Sequence, residues 1–210
     1  GAFYNGWRVS VVRSGVSKSY IQSIRARLGS HLYIKRNEKS NKIEILTKEH
    51  REGLKQWLTN ISQKNIDKPY NWNENECAVI LFTSGSTGVP KGVCHSYGNI
   101  VRSSSLFVEH FDISVKDKIL SLAPVHTMSG FRTLMIKTLN GVNIHVLEDE
   151  KSFLEIVNII NKINPSKIIC GPVFIKQLSF FCDRFKDYFT NVNTLLCTGA
   201  NLIEEYRLEI

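Results

Sequence analysis

The sequence predicts an α/β fold: a mainly parallel sheet flanked by helices. Two observations lead there. Short apolar runs rich in β-branched residues, such as Ala78-Val79-Ile80-Leu81-Phe82, alternate with longer segments whose apolar residues recur at helical spacing. Helices of that length between strands act as crossovers, which join parallel neighbours. Ligands of such sheets collect at the carboxyl ends of strands. Two ligand-type turns, Thr83–Gly92 and Thr198–Asn201, each follow a strand. On one edge of one sheet they would form one site.

The elements follow in order. Trp7 to Val12 alternates loosely and reads as a strand. Ser17 can cap a helix with Tyr20, Ile21, Ile24 and Leu28 on one face, stopped near Gly29. His31 to Lys35 and Lys42 to Leu46 are β-prone runs joined by a polar stretch, which predicts a hairpin. Thr47 can cap a helix over 49–61. Residues 62–76 are asparagine-rich and broken by Pro69, a linking loop that divides a basic α/β segment, 1–70, from a core segment, 71–210. Beyond the phosphate-type loop the pattern predicts a helix over 99–111 and a strand over 118–122. A helix over 131–139 and a strand over 143–147 come next. Ser152 caps a helix whose stripe is Phe153, Ile156, Val157, Ile160 and Ile163, and Pro165 ends it. A strand over 167–170 leads to Gly171-Pro172, which opens a helix with Phe174, Leu178, Phe181, Phe185 and Phe189 at helical spacing, read as core packing. A last strand covers 192–197.

Composition narrows the function classes. The chain of 210 residues carries a net charge of +8, concentrated early: residues 1–70 hold 14 Lys/Arg against 5 Asp/Glu. Such a segment could attract nucleic acid, a membrane surface or an anionic substrate, but its charges are scattered among apolar positions. It reads as a solvated basic face, with no nucleic-acid partner expected. No apolar run is long enough for a transmembrane span, and no signal-peptide core is visible near the start. Five cysteines without a C-x-x-C pair read as reduced, mostly buried thiols of a cytoplasmic protein, and no metal ligand is assigned. The opening glycine and an end inside a charged, helix-like segment suggest a piece of a larger domain.

The chemistry concentrates in Phe82-Thr83-Ser84-Gly85-Ser86-Thr87-Gly88-Val89-Pro90-Lys91-Gly92. Gly85 and Gly88 let the backbone approach a ligand closely. Successive N–H groups in such a turn form a concave anion site. The hydroxyls of Thr83, Ser84, Ser86 and Thr87 add donors, and Lys91 adds a mobile positive charge. A polyphosphate is the natural guest. A Walker A loop would need Gly-Lys followed by Ser or Thr, which this run lacks.

Residues 82–92 instead resemble, without a mismatch, the phosphate loop of the adenylate-forming enzymes, which include acyl-CoA synthetases, luciferases and peptide-synthetase adenylation domains. The continuation through Tyr97-Gly98-Asn99 is similar to o-succinylbenzoate-CoA ligases. Thr198-Gly199-Ala200-Asn201-Leu202 resembles the family turn whose backbone packs on adenine, which assigns Gly199 and Ala200 to the nucleotide. Pro124-Val125-His126-Thr127-Met128-Ser129-Gly130 resembles the acyl-pocket motif with a difference: the histidine stands one place early and Thr127 takes its slot. A local shift could return His126 to the pocket, Thr127 could face the substrate, or the histidine could be satisfied by backbone. Gly130 matches the family spacing.

The resemblance implies part of the large N-terminal domain of an adenylate-forming enzyme. Its reaction would convert a carboxylic acid and ATP to an acyl-adenylate, then to a thioester with CoA. Thr87 and Lys91 would act on the phosphates, and Mg2+ would be held mostly by residues outside this chain. The family's Tyr-Gly-x-Thr-Glu motif, ribose aspartate and C-terminal lysine domain are not in the sequence. A truncated homologue that binds nucleotide without catalysis is the alternative.

Overall fold

The central feature is a four-stranded, all-parallel sheet built from β6 (Lys118–Ser121), β7 (Asn143–Val146), β8 (Lys167–Cys170) and β9 (Thr194–Cys197), in the order β7-β6-β8-β9. A computed structural model supplies this architecture and describes residues 3, 6, 8–13, 15–28, 32–36, 43–47, 70–83, 91–147 and 151–203. The chain divides into two units.

The first unit holds helix α1 (Lys18–Leu28) and the antiparallel hairpin β2 (Leu32–Arg36) and β3 (Ile43–Thr47), in which Leu32 pairs with Thr47 and Arg36 with Ile43. As the sequence predicts, the Ser17 hydroxyl accepts from the Tyr20 N–H at 3.2 Å, and Ile24 is the buried residue of α1. The helix expected over 49–61 lies outside the described residues.

The second unit contains two sheets. The smaller is β1 (Val9–Val11), β4 (Cys77–Thr83) and β5 (Lys91–Ser96), in the order β1-β4-β5. β1 runs parallel to β4, whose Ala78, Val79 and Leu81 are buried. β5 runs antiparallel to β4, with a bulge between Cys77 and Val79. The sequence reading did not anticipate β5. Its polar, glycine-containing run has little strand propensity, and pairing along the edge of β4 decides its conformation.

Helix α2 (Tyr97–His110) follows β5 directly, capped by Ser96, whose hydroxyl accepts from the Asn99 N–H at 3.3 Å. It packs against β4, β5 and helix α3 (Met128–Asn140). Both faces of the parallel sheet are covered, as the consecutive apolar residues of its central strands, Ile119-Leu120 and Ile168-Ile169, require. Ile119, Ile144, Ile169 and Leu196 share one cluster with Phe107 of α2 and Ile136 of α3. Leu120, Ile168 and Cys170 share another with Ile160 of helix α4 (Phe153–Ile163) and with Phe174, Ile175 and Leu178 of helix α5 (Pro172–Phe185). A full capping box between Ser152 and Glu155 starts α4, and Asn164 ends it in the left-handed region at φ 52°.

Two expectations change. The aromatic stripe of α5 packs on the core, but only its first half is fully buried: Phe174 and Leu178 are buried, Phe181 is exposed with its ring 5.4 Å from that of Phe153, and the helix gives way at Lys186 to a 3-10 turn whose half-buried Phe189 packs on the same cluster. The turns after β4 and β9 also belong to different sheets, so the two ligand-type segments do not share one sheet edge.

The connection β6-α3-β7 moves to one side of β6. β7-α4-β8 then crosses back to its other side, and the chain continues outward to β9. The winding therefore reverses between β6 and β8, and the segments leaving the carboxyl ends of those strands border the crevice where open α/β sheets bind ligands.

Candidate functional site

Two described groups of residues carry the site chemistry, both in the second unit. The first is the stem of the phosphate-type loop. Thr83 ends β4 and Lys91 begins β5. The two are cross-strand partners, and the Thr83 hydroxyl donates to the Lys91 carbonyl at 3.4 Å. Both residues are exposed. The two ends of the loop are thus held by the β4–β5 ladder. Ser84, Gly85, Ser86, Thr87 and Gly88 lie outside the described residues.

The second group sits at the carboxyl edge of the parallel sheet. After β6 the chain passes through Leu122, whose N–H donates to Ile169 O of β8 at 2.8 Å, and reaches Pro124. Thr127 is the N-cap of α3: its hydroxyl accepts from the Gly130 N–H at 3.2 Å and donates to Pro124 O at 2.7 Å. Both functions of that hydroxyl serve local structure. His126, one place earlier, is half-buried in the same loop. Gly130 is buried, and a Cβ there would overlap the carbonyl of Pro124 and come within 2.6 Å of Ala123 O. Absence of a side chain lets the first turn of α3 lie directly on the loop.

The turn after β9 completes the edge. Thr198 continues the β8–β9 pairing through its N–H to Cys170 O at 2.9 Å. Gly199 then adopts φ 98°, and a Cβ at that position would meet nothing within 4 Å. Glycine is needed here for backbone conformation rather than for close packing. Gly199 and Ala200 are exposed, which leaves their backbone open to a planar ligand.

The two segments meet. The hydroxyls of Ser129 and Thr198 stand 2.9 Å apart. Neither was singled out by sequence reasoning, because no local pattern marks a contact between residues 69 apart in the chain. A small hydroxyl residue in a helix's first turn and another at a strand end were the visible signals.

Burial holds two of the thiols, Cys77 and Cys170, in the protonated form. Cys170 and Cys197 are register partners on β8 and β9, and burial, with the neighbouring Cys197, pushes the Cys170 thiol up to about 12. Cys77 is pushed up to about 11 by burial and by its hydrogen bond with Cys94. Cys77, Cys94 and Cys170 are free thiols, with Cys170 buried and Cys94 exposed. Among the described residues no cluster of three His, Cys, Asp or Glu side chains could hold a metal ion, and no helix is long and apolar enough to cross a membrane.

A family model for AMP-binding enzymes matches residues 2–208. The chain belongs to the AMP-binding enzyme family. That match takes in the basic N-terminal third as well as the core segment. A 2-succinylbenzoate–CoA ligase of Listeria monocytogenes serotype 4b (strain F2365) is 30% identical over 131 residues, covering 61% of this chain and 27% of the ligase. The chain therefore spans little more than a quarter of the length of this curated relative. Among solved structures, VinN in complex with L-aspartate matches with a TM-score of 0.75 at 18% identity, over 98% of this chain and 53% of that one. The o-succinylbenzoate CoA synthetase of Bacillus subtilis, in complex with its acyl-adenylate intermediate, matches at 0.70 and 17% identity, over 95% and 51%. These likenesses show that the chain has the fold of this family's enzymes.

Proposed function

We propose that this AMP-binding family chain is part of an enzyme that activates a carboxylic acid with ATP and transfers the acyl group to CoA. The observation that carries the reading is the loop from Thr83 to Gly92. It matches the adenylate-forming phosphate loop throughout and has its ends tied together at Thr83 and Lys91. In the first step a carboxylate oxygen attacks the α-phosphorus of ATP. The bond to the bridging oxygen breaks, and pyrophosphate leaves with its electron pair. In the second step the CoA thiol attacks the acyl carbon, loses its proton, and AMP departs.

The chain's own residues would contribute charge and position. Thr83, Ser84, Gly85, Ser86, Thr87 and Gly88 would cradle the β- and γ-phosphates, while Lys91 neutralises charge that grows on the leaving pyrophosphate. Gly199 and Ala200 would offer backbone to the adenine. The acid would approach along the loop with His126, Thr127 and Gly130. Because the Thr127 hydroxyl is bonded to Pro124 O and the Gly130 N–H, its part would be to hold the loop in shape beside the half-buried His126. Thr127 and Gly130 would shape the loop around it. Mg2+ would accompany the phosphates, bound mostly by residues outside this chain. The division at residue 71 would separate a basic segment from the segment that carries the nucleotide chemistry. A cytoplasmic location, where ATP and CoA are plentiful, and small-molecule rather than nucleic-acid partners fit this reading.

ATP–pyrophosphate exchange by the full-length protein with a panel of organic acids, followed by thioester formation with CoA, tests the proposal. Acid-dependent exchange is expected. Nucleotide binding without exchange for any acid would favour a non-catalytic nucleotide-binding homologue.

A further inference from the structure

Resting on the adenylation reading, we propose that Ser129 and Thr198 are a positioning pair. Their hydroxyl–hydroxyl bond holds the acid-binding loop and the adenine turn at a fixed separation, and so aligns the carboxylate with the α-phosphorus. The argument starts from the sheet order. The acid loop leaves β6 and the adenine turn leaves β9, and β8 lies between those strands, so their ladders do not connect the two segments directly. The bond of 2.9 Å between Ser129 and Thr198 spans that gap across the end of β8. Gly171, which follows β8, lies beside this bridge: a Cβ there would stand in ordinary contact with Thr198 O, at 3.8 Å.

Each partner is anchored on its own side. The Ser129 carbonyl accepts from Thr133 Oγ1 at 2.9 Å, and the neighbouring Gly130 rests on the backbone of Ala123 and Pro124. The Thr198 N–H is bonded to Cys170 O. Immediately after Thr198 comes Gly199 at φ 98°, the most permissive residue type at the point where the chain enters the turn. A side-chain bond one residue before that glycine orients the turn from a rigid base. Displacing reacting groups by about 1 Å can cost about a hundredfold in rate, so a bond that sets this separation acts on turnover more than on binding.

The experiment uses the full-length protein with Ser129→Ala, Thr198→Val, the double variant, and Thr198→Ser, which keeps the hydroxyl. The readouts are kcat and KM in ATP–pyrophosphate exchange, calorimetric binding of a non-hydrolysable ATP analogue, and the thermal midpoint. Each single variant is expected to lower kcat about tenfold or more, with analogue affinity changed less than about threefold. The double variant should lose no more than the worse single, because both remove the same bond, and Thr198→Ser should restore turnover. Unchanged kcat, losses that multiply in the double variant, or failure of Thr198→Ser to rescue overturns the pair while leaving adenylation intact. A wild-type protein that binds the analogue but shows no exchange with any acid overturns the adenylation reading itself, and this role with it.

Discussion

Thr83 and Lys91 face each other across β4 and β5, and the Thr83 hydroxyl is bonded to the Lys91 carbonyl. Lys91, the single cation in residues 82–92, is therefore mounted on a strand, not on a free tether. Its ammonium can swing, but the root of its side chain cannot drift. Lys91→Ala should consequently separate chemistry from folding. Turnover in the full-length protein is expected to fall by about 10²–10³, the loss typical of removing one aimed donor in such a site. Because Lys91 is exposed, stability should change by less than about 0.5 kcal/mol. Exchange kinetics beside a thermal melt check both halves, and undiminished turnover would remove Lys91 from the phosphate site.

Gly130 belongs to the family spacing, and the fold gives that spacing a physical cause. A methyl group at this position would overlap the Pro124 carbonyl, which is backbone and cannot rotate away. Gly130→Ala should cost about 2 kcal/mol or more in denaturant unfolding. A cost near zero would mean that the start of α3 can shift freely against the loop.

Asp117 joins the amino ends of β6 and β8 and predicts a pH dependence. Burial pushes its carboxyl up, but the Ser114 N–H and hydroxyl, the Ser166 hydroxyl at 2.8 Å and Lys167 at 3.7 Å outweigh this and hold it below its ordinary value. A lowered folded pKa means stability that is present above the unfolded value of about 3.9 and lost as pH falls through the folded one. Asp117→Asn is expected to destabilise by about 2 kcal/mol at neutral pH. The gap from wild type should narrow below about pH 4. Denaturant melts of both proteins from pH 7 to pH 3 measure it, and a gap independent of pH would contradict the ionised network.

The thiols predict a labelling order. Burial raises the Cys170 pKa to about 12, whereas Cys94 is exposed. Iodoacetamide at pH 8 should modify Cys94 first among the four described cysteines and spare Cys170 until unfolding, because only the thiolate reacts. Mass spectrometry of the alkylated protein reads the order, and early labelling of Cys170 would show that β8 opens readily.

Much of the fold was legible because its causes are local. Short apolar runs and period-3.6 apolar patterns marked β6 to β9 and the helices between them, and Ser17 and Ser152 marked helix starts by their capping chemistry. The loop from Phe82 to Gly92 pointed, by residue type and spacing alone, to the family whose model matches the chain. What escaped has non-local causes. β5 is a strand because the edge of β4 pairs with it, not because Lys-Gly-Val-Cys-His-Ser prefers to be one. Thr127, a substrate candidate by position, turned out to cap α3 because the chain turns back at Pro124.

The sequence by itself determined most element types, with β5 the exception, together with the glycine- and hydroxyl-rich composition of the loop and the family, since each depends on residues close together in the chain. Tertiary structure alone decided that the ligand-type turns leave different sheets and that Ser129 meets Thr198. The order in which strands assemble, β7-β6-β8-β9, brings together hydroxyls 69 residues apart, and sheet order is set by burial of both faces rather than by any local run of residues.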